Sequence, residues 1–488
     1  MTTKADNPTR TRLSGEDLSF WWTDSPTQPT TMAMLMLFDR PPDEARLRLA
    51  FERAVAAVPR LAERVVEAPL DLTLPHWQRD PTFDLDYHVR RHAVAGAADL
   101  DELFREIGPT YEAPFDRSRP LWEARVFDHV GPQGQAALFF KLHHAVADGV
   151  GGNAIFGAMT DWTRDGDRAD GVPHVAKGPW PDPPSFGSQV IDALRDRVQL
   201  DLRRAKTVAN TMVDTLQHPE KLQIALEALQ SIAETVQFDS HSPLKRFGRC
   251  RRLSGLAVPF EDVRHIKKML GGAMIDVILT IMARAMGKWH AAHRLNGVKE
   301  LMTLVPVNLR KPEEWSEKAH VGNVATGILV PLPIRIADPL RSYREIHKRM
   351  EAKKADPASA ASPLLADVLS VLPRQFVTWM AESTFGNVDY IVTNVPGILA
   401  TRYLAGAEIV AAYPFAPVAK RSPVSVALYG YRDQLFIGLD SDDTSMPDID
   451  RFKGMIRSAF AELLAAVASK GALSKNRRSA SSRRNATG

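Results

Sequence analysis

The sequence predicts an α/β protein of two similar-sized lobes joined by a helical connector. Three observations predict it. Residues 1–165 and 241–469 each interleave buried-strand runs with helical stripes. Between them, 166–240 opens on a Gly- and Pro-dense stretch and continues as a long amphipathic pattern. No repeat of fixed period runs through the 488 residues, a length that suits two or three domains.

Taken in order, Met32–Phe38 (MAMLMLF) reads as a buried strand. Asp43–Ala57 carries Leu47, Leu49, Phe51, Val55 and Ala56 in a helical stripe. Ala136–Phe140 is a second apolar run, with a helical pattern after it at 153–162. Residues 166–187, GDRADGVPHVAKGPWPDPPSFG, break regular structure. Beyond them Val190, Leu194, Val198 and Leu202 recur every fourth residue, and Val208, Met212 and Leu216 extend the stripe. His218-Pro219 interrupts this helix, which resumes over 220–237, and such a connector is expected to lie across both lobes. In the second lobe, strands are expected at 301–307, 326–332, 390–393, 424–429 and 435–439, and helices at 275–289, 339–353 and 448–466. Residues 362–380 form an apolar helix candidate, interrupted by Pro373 and too short to cross a bilayer. A cleft between two such lobes is a natural ligand site.

Hydrophobic residues make up 44% and charged residues 25%, enough to bury a large core. The single cysteine, Cys250, excludes an internal disulfide and is compatible with a reducing compartment. The first residues lack the apolar run of a signal peptide, so a cytoplasmic protein is expected. The net charge of +4 belongs to the last residues: 470–488 hold six Lys/Arg and no Asp/Glu, leaving 4 − 6 = −2 for the rest. A basic tail on a slightly acidic body argues against a nucleic-acid partner. That tail is expected to be disordered, either solvating the chain or touching anionic lipid.

Residues 141–152, KLHHAVADGVGG, carry the chemistry. Neighbours on a strand face opposite ways, so His144 sides with Phe140 and Leu142 while His143 sides with Lys141. One imidazole can then face a cavity while the other faces structure. Asp148 lies past the strand end, and Gly149, Gly151 and Gly152 permit a tight turn and close approach of a ligand. A neutral imidazole beside a hydroxyl is a general base near neutral pH. Core histidines and a metal pair are competing readings, though no HExxH or Cys cluster completes a metal shell. No GxSxG elbow supplies a nucleophile, which favours direct attack by the substrate.

His143–Gly149 fits HHxxxDG, the signature of the CoA-dependent acyltransferase superfamily. Further stretches resemble the bacterial wax ester synthase/diacylglycerol acyltransferase family along nearly the whole chain. They are LSGEDLSFWW (13–22), the PLW at Pro120-Leu121-Trp122, Leu304–Arg310 (LVPVNLR), Val321-Gly322-Asn323, and Asp389–Gly397 (DYIVTNVPG). The resemblance implies two chloramphenicol-acetyltransferase-like domains packed around a central tunnel, and His144 as proton acceptor for an O-acyl transfer from acyl-CoA to diacylglycerol or a long-chain alcohol. His143 is implied beside it, with Asp148 mainly structural and paired to an arginine, Arg64 or Arg310. Gly149, Trp122, Asn394, Pro396 and Gly397 are the implied substrate-side positions. No metal and no cofactor are implied, acyl-CoA being a substrate. Peripheral contact with a membrane or lipid droplet follows from an insoluble acceptor, with residues 376–380 or the tail as contacts. The family's Asn-Asp pair is here Ile275-Asp276, and Thr393 and Asn308 replace two serines. Ile275 leaves open a catalytically weak lipid- or acyl-binding protein on the same scaffold, and a carrier-dependent condensation-type enzyme is a further alternative.

Overall fold

The computed structural model describes residues 10–26, 28–93, 99–131, 134–166, 186–217, 238–245, 248–308, 325–356, 386–418 and 422–484. Its first-half strands are β1 (Arg10–Arg12), β2 (Thr31–Phe38), β3 (Glu63–Val66), β4 (His76–Arg79), β5 (Val89–Ala93), β6 (Trp122–Val130) and β7 (Gln135–His143). The second half supplies β8 (Arg251–Pro259), β9 (Glu300–Asn308), β10 (Ala325–Pro333), β11 (Tyr390–Ile398), β12 (Tyr403–Leu404), β13 (Ala407–Phe415), β14 (Val424–Tyr431) and β15 (Gln434–Asp442). They form two six-stranded sheets, β12-β13-β2-β7-β6-β5 and β10-β9-β11-β14-β15-β8, and a three-stranded one, β1-β4-β3. The expected strands and helices that fall on the described residues are present, most of them a residue or two longer than their patterns.

The first sheet departs from the sequence division. β12 and β13 come from the 241–469 segment yet pair in the first sheet, β13 running antiparallel to β2 from Ile409↔Phe38 to Phe415↔Ala33. Two forces favour this placement. Without β13, β2 would be an unpaired edge. Ile409, Ala412, Tyr413 and Phe415 also bury their side chains in the first lobe's core. The second sheet then lies against β13 so closely that a Cβ on Gly438 of β15 would stand 1.6 Å from the Pro414 carbonyl oxygen. Only glycine fits there.

Helix Phe186–Gln217 covers the first part of the expected helical linker, but its every-fourth-residue stripe faces outward, with Leu194, Val198 and Leu202 exposed and Ala193 buried. A helix rich in apolar and charged residues can turn either face inward, and here Asp196 is drawn to Arg12 at 3.3 Å. The resumed helix at 220–237 and the candidate at 362–380 lie outside the described residues. The last helix, Ile449–Arg484, carries most of the basic tail, where disorder was expected over 470–488. Nine of the fifteen residues 470–484 are alanine, leucine, lysine or arginine and none is proline, so a helix can continue through them. Among the described residues no single helix is long and apolar enough to cross a membrane.

One buried acid ties stability to pH. Asp440 on β15 is buried with Tyr111, Glu112 and Asp442 around it. Burial pushes its carboxyl up to about 7 against the pull of Arg251. In the unfolded chain it ionises near its ordinary value, so the folded state holds the extra proton between the two, and stability falls as pH rises across that window. We expect Asp440→Asn to melt higher than the parent at about pH 8 and to lose the parent's decline between about pH 5 and pH 7 in thermal melts. Parallel melting curves at all pH values would contradict this.

Candidate active site

β7 delivers the histidines as strand alternation requires. Phe140, Leu142 and His144 line one apolar cavity, while Lys141 and His143 face the other way. β2 fixes this arrangement from the side. Its register puts Thr31 opposite His143 and Met34 opposite Phe140. The residue just before it, Thr30, holds both histidines: its carbonyl accepts the His144 backbone N–H at 2.8 Å, and its hydroxyl meets His143 Nε2 at 2.9 Å.

His143 is a buried positioning group. Its Nδ1 accepts the Ala145 N–H at 3.0 Å, which leaves the proton on Nε2, facing Thr30 and, at 3.7 Å, Asp24. Burial raises the Asp24 carboxyl, but the His143 contact, the Thr30 N–H and Arg117 outweigh it and hold the group well below the usual carboxylate range. Asp24 is therefore an anion anchored on Arg117 at 3.0 Å.

His144 is half-buried and stacks on Phe20 with ring centroids 4.0 Å apart and an interplanar angle of 18°. Phe20 comes from helix Gly15–Thr23, begun by a Ser14–Asp17 capping box. Arg60 links that helix to the histidine turn: it pairs with Asp17 at 3.2 Å and reaches the Ala145 and Val146 carbonyls at 3.4 Å each. Arg64, a candidate partner of Asp148, instead donates to the Ser118 carbonyl at 3.3 Å, and Arg310 lies outside the described residues.

Asp148 caps helix Gly149–Met159, its Oδ1 accepting the Gly151 N–H at 2.7 Å. This cap is a structural contact. The helix meets the second sheet directly. A Cβ on Gly149 would stand 3.0 Å from Val395, and Asn153 Nδ2 donates to the Pro396 carbonyl at 2.5 Å.

Of the substrate-side expectations, Gly149, Asn394 and Pro396 line the cavity with Asp148, Thr393 and Val395. Trp122 and Gly397 do not. Trp122 is a core residue that stacks on His88 at 4.5 Å and donates its indole N–H to the Leu61 carbonyl at 2.7 Å. Gly397 is fixed by sterics, since a Cβ there would lie 1.7 Å from the Gly430 carbonyl oxygen. Ile275 is partly buried against the second lobe's core and outside the cavity lining, while Asp276 accepts the Ala273 N–H at 2.8 Å at the helix start. Nothing in the residue pattern singles out Phe20, Thr30 or Asp24 as neighbours of the histidines. They are brought there by the β2–β7 register.

The remaining cavity wall is apolar: Met32, Met34 and Met36 from β2, Ile155, Phe156 and Met159 from the following helix, and Pro414 and Phe415 from β13. Four methionines make a wall that adapts to flexible hydrocarbon. Among the described residues one imidazole, that of His144, lines this cavity, to which both lobes contribute residues. The wax ester synthase/diacylglycerol acyltransferase catalytic domain matches residues 13–278, and the C-terminal domain of the same family matches 321–464. The chain belongs to that family.

A Mycobacterium tuberculosis H37Rv protein carrying the name diacylglycerol O-acyltransferase is 29% identical over 459 residues, spanning 90% of this chain and 89% of its own length. A second M. tuberculosis protein, named diacylglycerol O-acyltransferase tgs1, is 26% identical over 434 residues, 87% of this chain and 89% of its own. Among solved structures, the wax ester synthase/diacylglycerol acyltransferase from Marinobacter aquaeolei VT8 superposes with a TM-score of 0.63 at 20% identity, covering 94% of this chain and all of that one. The first condensation domain of the calcium-dependent antibiotic synthetase gives 0.60 at 17% identity, over 95% and 97% of the two chains.

The capping role of Asp148 can be checked apart from activity. Asp148→Ala is expected to cost about 1–2 kcal/mol and to lower the melting temperature, whereas Asp148→Asn keeps most of the cap. Equal melting of both variants with the parent would remove the role.

Proposed function

We propose that this enzyme transfers a long-chain acyl group from acyl-CoA to the hydroxyl of a diacylglycerol or a long-chain alcohol, with His144 as general base. The observation that carries this reading is the position of the His144 ring: on the cavity wall, stacked on Phe20, with its backbone pinned by Thr30.

The acceptor hydroxyl gives its proton to the His144 imidazole as its oxygen attacks the thioester carbonyl carbon. The tetrahedral intermediate collapses, the C–S bond breaks, and the CoA thiolate recovers that proton from the imidazolium. No protein-bound acyl group forms, in keeping with a base that has no serine or cysteine among the described residues lining its cavity. His143 acts indirectly, bonding Ala145 and Thr30 so that the turn presents His144. Asn394 lines the same cavity from the second sheet, and its side-chain amide is the donor we assign to the acyl oxygen. Acceptors of this kind are nearly insoluble, so the enzyme works in the cytoplasm at the periphery of a membrane or lipid droplet.

We expect His144→Ala to release CoA thiol at least ~100-fold more slowly from palmitoyl-CoA with diolein or hexadecanol, with unchanged thermal unfolding. His143→Ala should lose stability as well as part of the rate. Full activity of His144→Ala would refute the base. Thiol release with neither acceptor would refute acyl transfer to these lipids.

A further inference from the structure

Nine large apolar side chains stand exposed among the described residues; four of them share one helix face, and a fifth lies on a turn packed against that helix. Ile191, Leu194, Val198 and Leu202, each between 48% and 65% exposed, lie on helix Phe186–Gln217. At 3.6 residues per turn they fall within an arc of about 80° over about 16 Å of helix. The fifth is Leu70, 80% exposed, on the turn Pro69–Asp71 that packs against this helix. Leu70 and Asp71 both hold positive φ, 56° and 52°, a left-handed pair uncommon outside glycine.

The stripe is held outward. The opposite side of the helix is the packed one, with Ala193 buried, Leu200 half-buried and Asp196 paired to Arg12. Charged side chains border the stripe: Arg195 near Asp192, Arg197 paired to Asp201 at 2.9 Å, and exposed Lys206. Long basic side chains beside an apolar strip can lay their stems along it and raise their charges to anionic headgroups.

We infer that this stripe, with Leu70, is the surface on which the protein lies on an anionic phospholipid layer. The inference deepens the proposed function by naming the face turned to the acceptor's membrane. A lipid layer suits the patch better than a protein does. Five side chains on one narrow helix offer less than the ~800 Å² per partner that a standard protein interface buries. A helix lying in the headgroup region sinks its apolar side chains only about 5–10 Å and needs no complementary partner surface.

The test uses the full chain in flotation with vesicles of mixed phosphatidylcholine and phosphatidylglycerol. The double variant Leu194→Glu plus Val198→Glu should float at least ~10-fold less than the parent, with the same circular dichroism and melting curve. Its turnover of acyl-CoA with a short, water-soluble alcohol should be unchanged, while turnover of vesicle-embedded diacylglycerol falls by a similar factor. Leu70→Ser, on a separate element, should weaken flotation independently. Equal flotation of parent and double variant overturns the inference. So does a parent that sediments as a dimer and a variant that sediments as a monomer, since the stripe would then be a subunit contact. If the parent floats, the variant does not, and neither turns over any alcohol, the acyl-transfer reading fails while the lipid surface stands.

Discussion

The active-site arrangement hangs on one backbone register, that of β2 against β7. With Thr31 opposite His143, Thr30 falls where its carbonyl binds one histidine and its hydroxyl the other. A slip of one residue would turn the Met32, Met34 and Met36 row away from Phe140, Leu142 and His144, because side chains on a strand alternate strictly. The cavity would lose one wall and His143 its clamp. Register is held by burial: β7 is buried from Ala136 to His143, and β2 is flanked on its other side by β13.

The same constraint joins the two halves. β13 leaves the second lobe to pair with β2, so the strand that sets the histidines is itself set by residues more than 370 positions away. Two further contacts bring the lobes together at the cavity, Gly149 against Val395 and Asn153 on the Pro396 carbonyl. Buried Arg402 adds a third, with its Nε on the Thr160 hydroxyl at 2.9 Å and an Nη on the Thr160 carbonyl at 3.1 Å. A cavity built this way has polar groups from both lobes near one imidazole, within walls of methionine and phenylalanine.

That distribution suits a reaction between two lipid-like partners. Hydrocarbon needs apolar, adaptable walls, and proton transfer needs one oriented nitrogen with its partner histidine locked elsewhere. The pair divides these tasks because adjacent residues on a strand cannot face the same way. His144 takes the cavity, and His143 takes the Thr30–Asp24 side, where the His143 contact, the Thr30 N–H and Arg117 together keep Asp24 ionised against its burial.

Much of this was legible in the chain itself. Apolar periodicity located the strands around Met32–Phe38, Ala136–Phe140 and Val424–Tyr429, and the HHAVADG stretch with its strand before identified the facing of each histidine. These are local properties, dictated by backbone geometry and nearest neighbours. Tertiary structure alone decided what nearby sequence cannot encode. It assigned β13 to the first sheet, made Trp122 and Gly397 matters of packing, brought Arg60 beneath the histidine turn, and turned the Leu194–Leu202 stripe outward. Each of those outcomes depends on which distant surface offers the better burial or hydrogen bond, a competition settled only when the whole chain has folded.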